Sequence, residues 1–167
     1  YIHHVWGFSI GVAGFTVQPL WWRYKYEPDP DYLRQTAYPA LCEVALFYAD
    51  FIEQCERDGT FVVLAPSVSP EHWGWTGGFK RNRNCTFDIA MIRYTLKAAI
   101  EASKLMEPGG VVIKTSRGVI ARRPRKAPYQ ELIKRFENAL ALLPGYPTTS
   151  GDEVVVVDVE DAPPITY

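Results

Sequence analysis

One acidic residue, Glu71, stands in the run Ala65-Pro66-Ser67-Val68-Ser69-Pro70-Glu71-His72-Trp73-Gly74-Trp75. The run is too rich in Pro, Ser and Gly to be regular structure. A carboxyl held among aromatic rings is poorly solvated, which disfavours its charged form and raises its pKa. An acid that keeps its proton near neutral pH can serve as a general acid. Flat aromatic faces are also what sugar rings stack against, so Trp73 and Trp75 beside Glu71 suggest carbohydrate chemistry. His72 is placed to orient the acid or to line the pocket. A plainer reading stands alongside: an exposed turn carboxylate next to two tryptophans that anchor the loop. Asp88, just beyond the loop, reads either as a first-turn helix stabiliser or as a contact for a sugar hydroxyl. Arg81, Asn82, Arg83 and Asn84 read either as sugar-binding groups or as a solvent-facing approach to a helix.

The elements that must position these residues are mostly helical. Phe8 to Tyr26 is apolar and aromatic, and predicts a helix ending near Tyr24 that Pro19 shortens or kinks. Glu27-Pro28-Asp29-Pro30-Asp31 is a stop and restart, with Asp29 or Asp31 as N-cap and a short turn to Thr36. From Tyr38 to Cys55, Leu41, Ala45, Tyr48, Ala49 and Ile52 recur at spacings of three and four, an amphipathic helix with Pro39 in its first turn. Thr60 to Leu64 is β-rich after Asp58-Gly59. Thr86 is a candidate cap for the next helix, in which Ile89, Ile92, Leu96, Ala99 and Ser103 form one stripe. Met91, Tyr94 and Ala98 widen that stripe, so this helix is expected to pack on more than one side. A hairpin is expected within 111–121, a helix from Pro128 to Leu143 with Leu132, Phe136, Leu140 and Leu143 inward, and an edge strand over Val154 to Val157. These pieces compose a single domain, with N-terminal helices through 64, a site loop over 65–85, C-terminal helices over 86–147 and an extended tail over 148–167.

Composition narrows the classes. The 167 residues are 47% hydrophobic and 22% charged, ordinary for a globular chain. Aromatic content of 14% is high, and all five tryptophans lie in the N-terminal half. A net charge of −1 gives no overall pull toward nucleic acid or a membrane. Twelve basic residues between Lys80 and Lys126, against three acidic ones, are divided between a helix and a loop and read as a solvated face, so a nucleic-acid partner is not expected. No apolar run is long enough to span a bilayer. The three cysteines contain no CxxC and predict buried, uncoupled thiols, because about thirteen residues of helix hold Cys42 and Cys55 about 20 Å apart. His3 and His4 have no third ligand in view, and neither metal nor cofactor is expected. No Gly-rich phosphate loop and no G-x-S-x-G elbow is present. The start of the chain reads as the middle of a longer sequence, and no compartment can be assigned.

Five blocks, taken in order, resemble the central catalytic region of the (α/α)6-barrel glycoside hydrolases, closest to glycoside hydrolase family 95, the α-L-fucosidases and related α-L-galactosidases. They are Trp21-Trp22-Arg23-Tyr24 with Asp31-Tyr32-Leu33; Tyr38-Pro39-Ala40-Leu41 with Phe47-Tyr48-Ala49-Asp50-Phe51; Pro66-Ser67-Val68-Ser69-Pro70-Glu71-His72; Thr86-Phe87-Asp88-Ile89-Ala90-Met91-Ile92; and Leu143-Pro144-Gly145-Tyr146-Pro147. The third, similar to the family's "PS-x-SPE" loop, is the specific one. The resemblance implies that Glu71 is the general acid that protonates the departing glycosidic oxygen, and that the reaction inverts. In such sites the acid and the water-activating group lie about 6.5–9.5 Å apart.

The chain also departs from that pattern. The family's water-activating asparagines and their partner aspartate belong to segments before and after this stretch. A barrel of six helix pairs is matched here by about four helices. Pro19 interrupts a helix the family leaves whole, and the connection from Glu107 to Ala127 is longer and more basic. The expectation is therefore a mainly α chain that is part of, or a reduced version of, an (α/α)6 toroid with minor β hairpins. Its expected function is inverting hydrolysis of a glycosidic bond, such as an α-L-fucoside. The alternative is a non-catalytic carbohydrate-binding or self-associating module derived from such an enzyme. The partners expected are a carbohydrate and either a second copy or the rest of a larger barrel, with no membrane.

Overall fold

The computed structural model describes residues 9–70, 77–79, 81–106, 129–150, 154–160 and 162. Four long helices dominate: α1 (Gly11–Tyr26), α2 (Tyr38–Gln54), α3 (Thr86–Leu105) and α4 (Tyr129–Leu142). The structure is mainly α, as the periodicity predicts. Among the described residues there is one sheet, a two-residue-by-two-residue antiparallel hairpin of β1 (Arg57–Asp58) and β2 (Phe61–Val62). Arg57 stands opposite Val62 and Asp58 opposite Phe61. Gly59, at φ 62°, supplies the left-handed residue of its turn. The hairpin expected within 111–121 falls outside the described residues.

α3 is the central helix and packs against α1, α2 and α4. Ile89, Ile92, Leu96, Ala99 and Ser103 are all fully buried. Burying each of the large aliphatic side chains among them contributes about 1.5–3 kcal/mol relative to exposure. Leu41, Ala45, Tyr48, Ala49 and Ile52 on α2 are likewise inside, as their spacing requires. On α4 the most buried positions are Ile133, Phe136 and Ala139, followed by Leu143 beyond the helix end. Leu132 and Leu140 are only partly buried, so the inward face is turned by about one residue from the expected one.

α1 runs unbroken to Tyr26, past the expected stop. Pro19 lies on the exposed side of the helix, where water can bind the carbonyl that its missing N–H leaves behind. Asp29 caps the restart, its side chain accepting from the N–H groups of Asp31 (2.9 Å) and Tyr32 (3.2 Å). A helical turn over Pro30–Tyr32 and a π-helical turn over Leu33–Ala37 then lead directly into α2. Arg23 sits 4.0 Å over the Tyr32 ring, and Tyr32 donates to the Leu20 carbonyl, which folds this connection back on α1.

The tail returns to the start of α3. Residues 154–157 form a single antiparallel bridge, Thr148 to Val156, in place of a sheet-edge strand. The Thr86 hydroxyl does not cap α3. It donates to the Val157 carbonyl at 2.6 Å while the Thr86 N–H donates to Asp158, and Val159 is fully buried beneath. Cys42 and Cys85 are buried and Cys55, at the end of α2, is half-buried; all three are thiols.

Candidate functional site

The loop that begins at Ala65 is closed at its base by hydrogen bonds between its two limbs. The Ser67 N–H donates to the Asn82 carbonyl (2.9 Å) and the Asn84 N–H to the Leu64 carbonyl (2.9 Å). The Leu64 N–H in turn donates to Asn84 Oδ1 (2.9 Å), and the Cys85 N–H to Ser67 Oγ (2.9 Å). Asn84 makes this lacing possible at φ 48°, a left-handed conformation that Asn tolerates better than most residues. Its Nδ2 also donates to Glu160 of the tail, and Arg83 pairs with the same carboxylate at 3.5 Å. Asn82 is fully buried and Asn84 partly so. Both belong to the scaffold of the loop and neither forms a free polar approach. Ser67, Val68 and Ser69 are buried as well, so the incoming limb is packed as far as Pro70. Glu71, His72, Trp73 and Trp75 lie outside the described residues.

Asp88 in the first turn of α3 is fully buried. Its Oδ2 accepts from Ser67 Oγ at 2.7 Å. Its Oδ1 accepts from Ser9 Oγ at 3.1 Å and from the Gly11 N–H at 2.8 Å. Burial raises its pKa above the ordinary carboxyl range, while donors from Ser67, Gly11, Ser9 and the Val68 backbone bring it part of the way back. Both oxygens are occupied by protein groups, a geometry that fits a structural carboxylate better than contact with a sugar. The carboxylate also sits at the N-terminal ends of two helices, α1 and α3, where partial positive charge collects.

Two of the first four N–H groups of α1, those of Gly11 and Gly14, are taken by other elements, while those of Val12 and Ala13 donate to the Ser9 and Ile10 carbonyls. Ile10, at its N-cap position, contributes no side-chain hydrogen bond. Instead Asp88 takes the Gly11 N–H, and the buried Tyr48 hydroxyl takes the Gly14 N–H at 2.6 Å while donating to the Ile10 carbonyl at 2.9 Å. Such proximity needs glycine. A Cβ on Gly11 would lie 2.8 Å from Asp88 Oδ1, and one on Gly14 would lie 2.6 Å from Thr95 Oγ1. Sequence reasoning missed Ser9, Ser67 and Tyr48 as parts of this cluster. The Gly11-x-x-Gly14 spacing on an otherwise bulky helix is the signal from which a close approach could have been read.

A cavity of about 280 Å³ opens beside the hairpin, lined by Phe51, Gln54, Cys55, Glu56, Val63 and Ala65. It reaches the incoming limb at Ala65, and among the described residues its lining does not include Asp88. Among the described residues no cluster of His, Cys, Asp and Glu could hold a metal ion, and no helix is long and apolar enough to cross a membrane.

Residues 2–131 match the model of the glycosyl hydrolase family 95 catalytic domain. The chain belongs to that family. No curated protein sequence matches it. Four of the five resembling blocks fall inside the matched span, including the loop that carries Glu71 and the start of α3 that carries Asp88. The Leu143–Pro147 block falls outside it. That block is tied to α3 all the same, for Arg93 donates to the Pro144 carbonyl at 2.8 Å and lies 5.5 Å over the Tyr146 ring.

Proposed function

We propose that this family 95 chain carries the acid side of an inverting glycosidase site, with Glu71 as the proton donor and an α-L-fucoside as substrate. The observation that supports this most is the family match across the Pro66–Glu71 motif, the most specific of the resembling blocks. On this reading the protonated Glu71 carboxyl donates to the glycosidic oxygen as the bond to the anomeric carbon breaks. Water attacks the same carbon from the opposite face and gives up its proton to a base on that side of the sugar, so the configuration there inverts. Trp73 and Trp75, two and four residues further on, supply flat apolar faces for the sugar ring. His72, adjacent in sequence, orients the carboxyl. The closed base of the loop supports this reading, because a general acid must be held at a fixed distance from the bond it protonates.

The test is hydrolysis of natural fucosylated and galactosylated oligosaccharides by the chain, with the first-formed sugar identified by proton NMR. The reading predicts release of fucose with β-fucose appearing before the equilibrium anomer. Release of the α-anomer first would contradict inversion. A second reading is a carbohydrate-binding or self-associating module derived from such an enzyme. Saturable sugar binding with no turnover, unaffected by Glu71→Gln, would select it.

A further inference from the structure

We propose that Asp88 is the positioning residue of the acid loop, holding through Ser67 the limb that delivers Glu71. The proposal rests on the reading of Glu71 as the acid, and it goes beyond it by assigning how that residue is placed.

An aspartate in the first turn of a helix usually faces water and bonds to the amides of its own helix. Asp88 does otherwise. Its donors lie 79, 77 and 21 residues away in sequence, at Ser9, Gly11 and Ser67. One buried carboxylate thereby joins three segments that share no secondary structure: the start of α1, the incoming limb of the loop and the start of α3. Burying a charge is unfavourable unless donors converge on it, and here four do. Ser67 is the contact that matters to the loop. Its hydroxyl donates to Asp88 and accepts from the Cys85 N–H, and its own N–H donates to Asn82, so three hydrogen bonds determine its place. The chain then remains buried through Ser69. Pro70, whose φ is restricted by its ring, directly precedes Glu71.

Two variants test this. Asp88→Asn keeps the size but offers an NH2 where an oxygen stood, so one of the flanking donors loses its acceptor. Ser67→Ala removes the hydroxyl alone and serves if the first variant folds poorly. Each is assayed for kcat and KM on a natural fucosylated oligosaccharide and on an activated fucoside whose leaving group departs without an acid. The expected result is a fall in kcat of about 100-fold on the natural substrate, the usual consequence of displacing a catalytic group by about 1 Å. KM should stay within a few fold and the activated substrate should be largely spared. The Asp88→Asn/Glu71→Gln double variant should be no less active than Glu71→Gln alone. Amide hydrogen exchange provides a readout independent of turnover: protection at Ser67 and Val68 should fall while the centre of α2 is unchanged. Full kcat in a folded Asp88→Asn protein, equal loss on both substrates, or unaltered exchange at Ser67 and Val68 overturns the proposal. Absence of turnover in the wild-type chain counts against the glycosidase reading instead, and exchange then decides whether the anchor exists.

Discussion

Replacing Tyr48 by Phe should destabilise the chain by about 2 kcal/mol, although it removes a single oxygen. The ring is fully buried on α2, and Phe keeps its volume, so no side-chain-sized cavity forms. What disappears is a hydroxyl that accepts from the Gly14 N–H at 2.6 Å and donates to the Ile10 carbonyl at 2.9 Å. These are the two groups that an unbroken α-helix joins to each other. The Ile10 carbonyl still accepts from the Ala13 N–H at 3.3 Å, so the Gly14 N–H alone would be left buried and unpaired, at about 1–3 kcal/mol. If the first turn of α1 tightens and joins them directly, most of that is recovered, and about 2 kcal/mol lies between the limits. For a chain of this length the melting temperature should drop by roughly 4–8 °C. Urea denaturation followed by circular dichroism gives the free energy, read as a lower midpoint at unchanged slope. Tyr38→Phe is the control. It is equally buried, but its hydroxyl meets Ser103 only at 3.4 Å, so the loss should stay below about 1 kcal/mol. A Tyr48→Phe protein within about 0.5 kcal/mol of wild type would refute the claim that this hydroxyl completes α1.

Gly14→Ala should destabilise as well. Its methyl would lie 2.6 Å from Thr95 Oγ1 and 2.9 Å from the Met91 carbonyl, and overpacking costs about 1–3 kcal/mol against up to about 1 kcal/mol gained in helix propensity. A thermal melt at or above the wild-type value would contradict the close approach of α1 and α3. Cys85 should make the protein sensitive to alkali. Burial pushes its thiol from 9.0 up to about 12, so the folded state keeps a proton that the unfolded state gives up. That contribution is fully present below about pH 9 and is lost as pH rises toward 12. Denaturation midpoints between these values should fall, and should fall less in Cys85→Ala; parallel curves would contradict this. Arg135 joins α4 to Asp50 and Glu53 on α2 at an exposed site. Screening there keeps Arg135→Gln below about 1 kcal/mol, and the difference should vanish in 1 M salt, as paired denaturation curves would show.

The parts of the fold legible in the sequence are those set by neighbours along one helix. Leu41, Ala45, Tyr48, Ala49 and Ile52 repeat at helical spacing, and their burial follows from that alone. The stripe on α3 was equally legible, including its width, because a helix touching three others must be apolar on several sides. Contacts across the chain were not. Nothing near Asp88 announces that Ser9 and Gly11 fill its oxygens, so the sequence left it open between a helix stabiliser and a sugar contact. Thr86 looked like a cap because its type and place are right. The tail, which claims its hydroxyl, lies 71 residues later. Pro19 marks a break by local rule, yet it stands on the outer face of α1, where Val17 and Trp21 on the inner side keep the helix seated. α4 came out rotated because apolar residues border both sides of its true stripe, and only the position of its neighbours chooses between them. Glu71, the proposed acid, stood out in the sequence for a different reason. Glu71 stands in a short loop of unusual composition, the kind of signal that needs no distant partner to be seen.

The central claim is tested most directly by measuring kcat/KM for Glu71→Gln beside wild type on a natural fucosylated oligosaccharide and on an activated aryl fucoside. Loss of a general acid should reduce the first by about 10²–10⁴-fold and leave the second nearly intact, because an activated leaving group departs without a proton. Equal activity of variant and wild type on the natural substrate, or equal loss on both substrates, would contradict Glu71 as the acid.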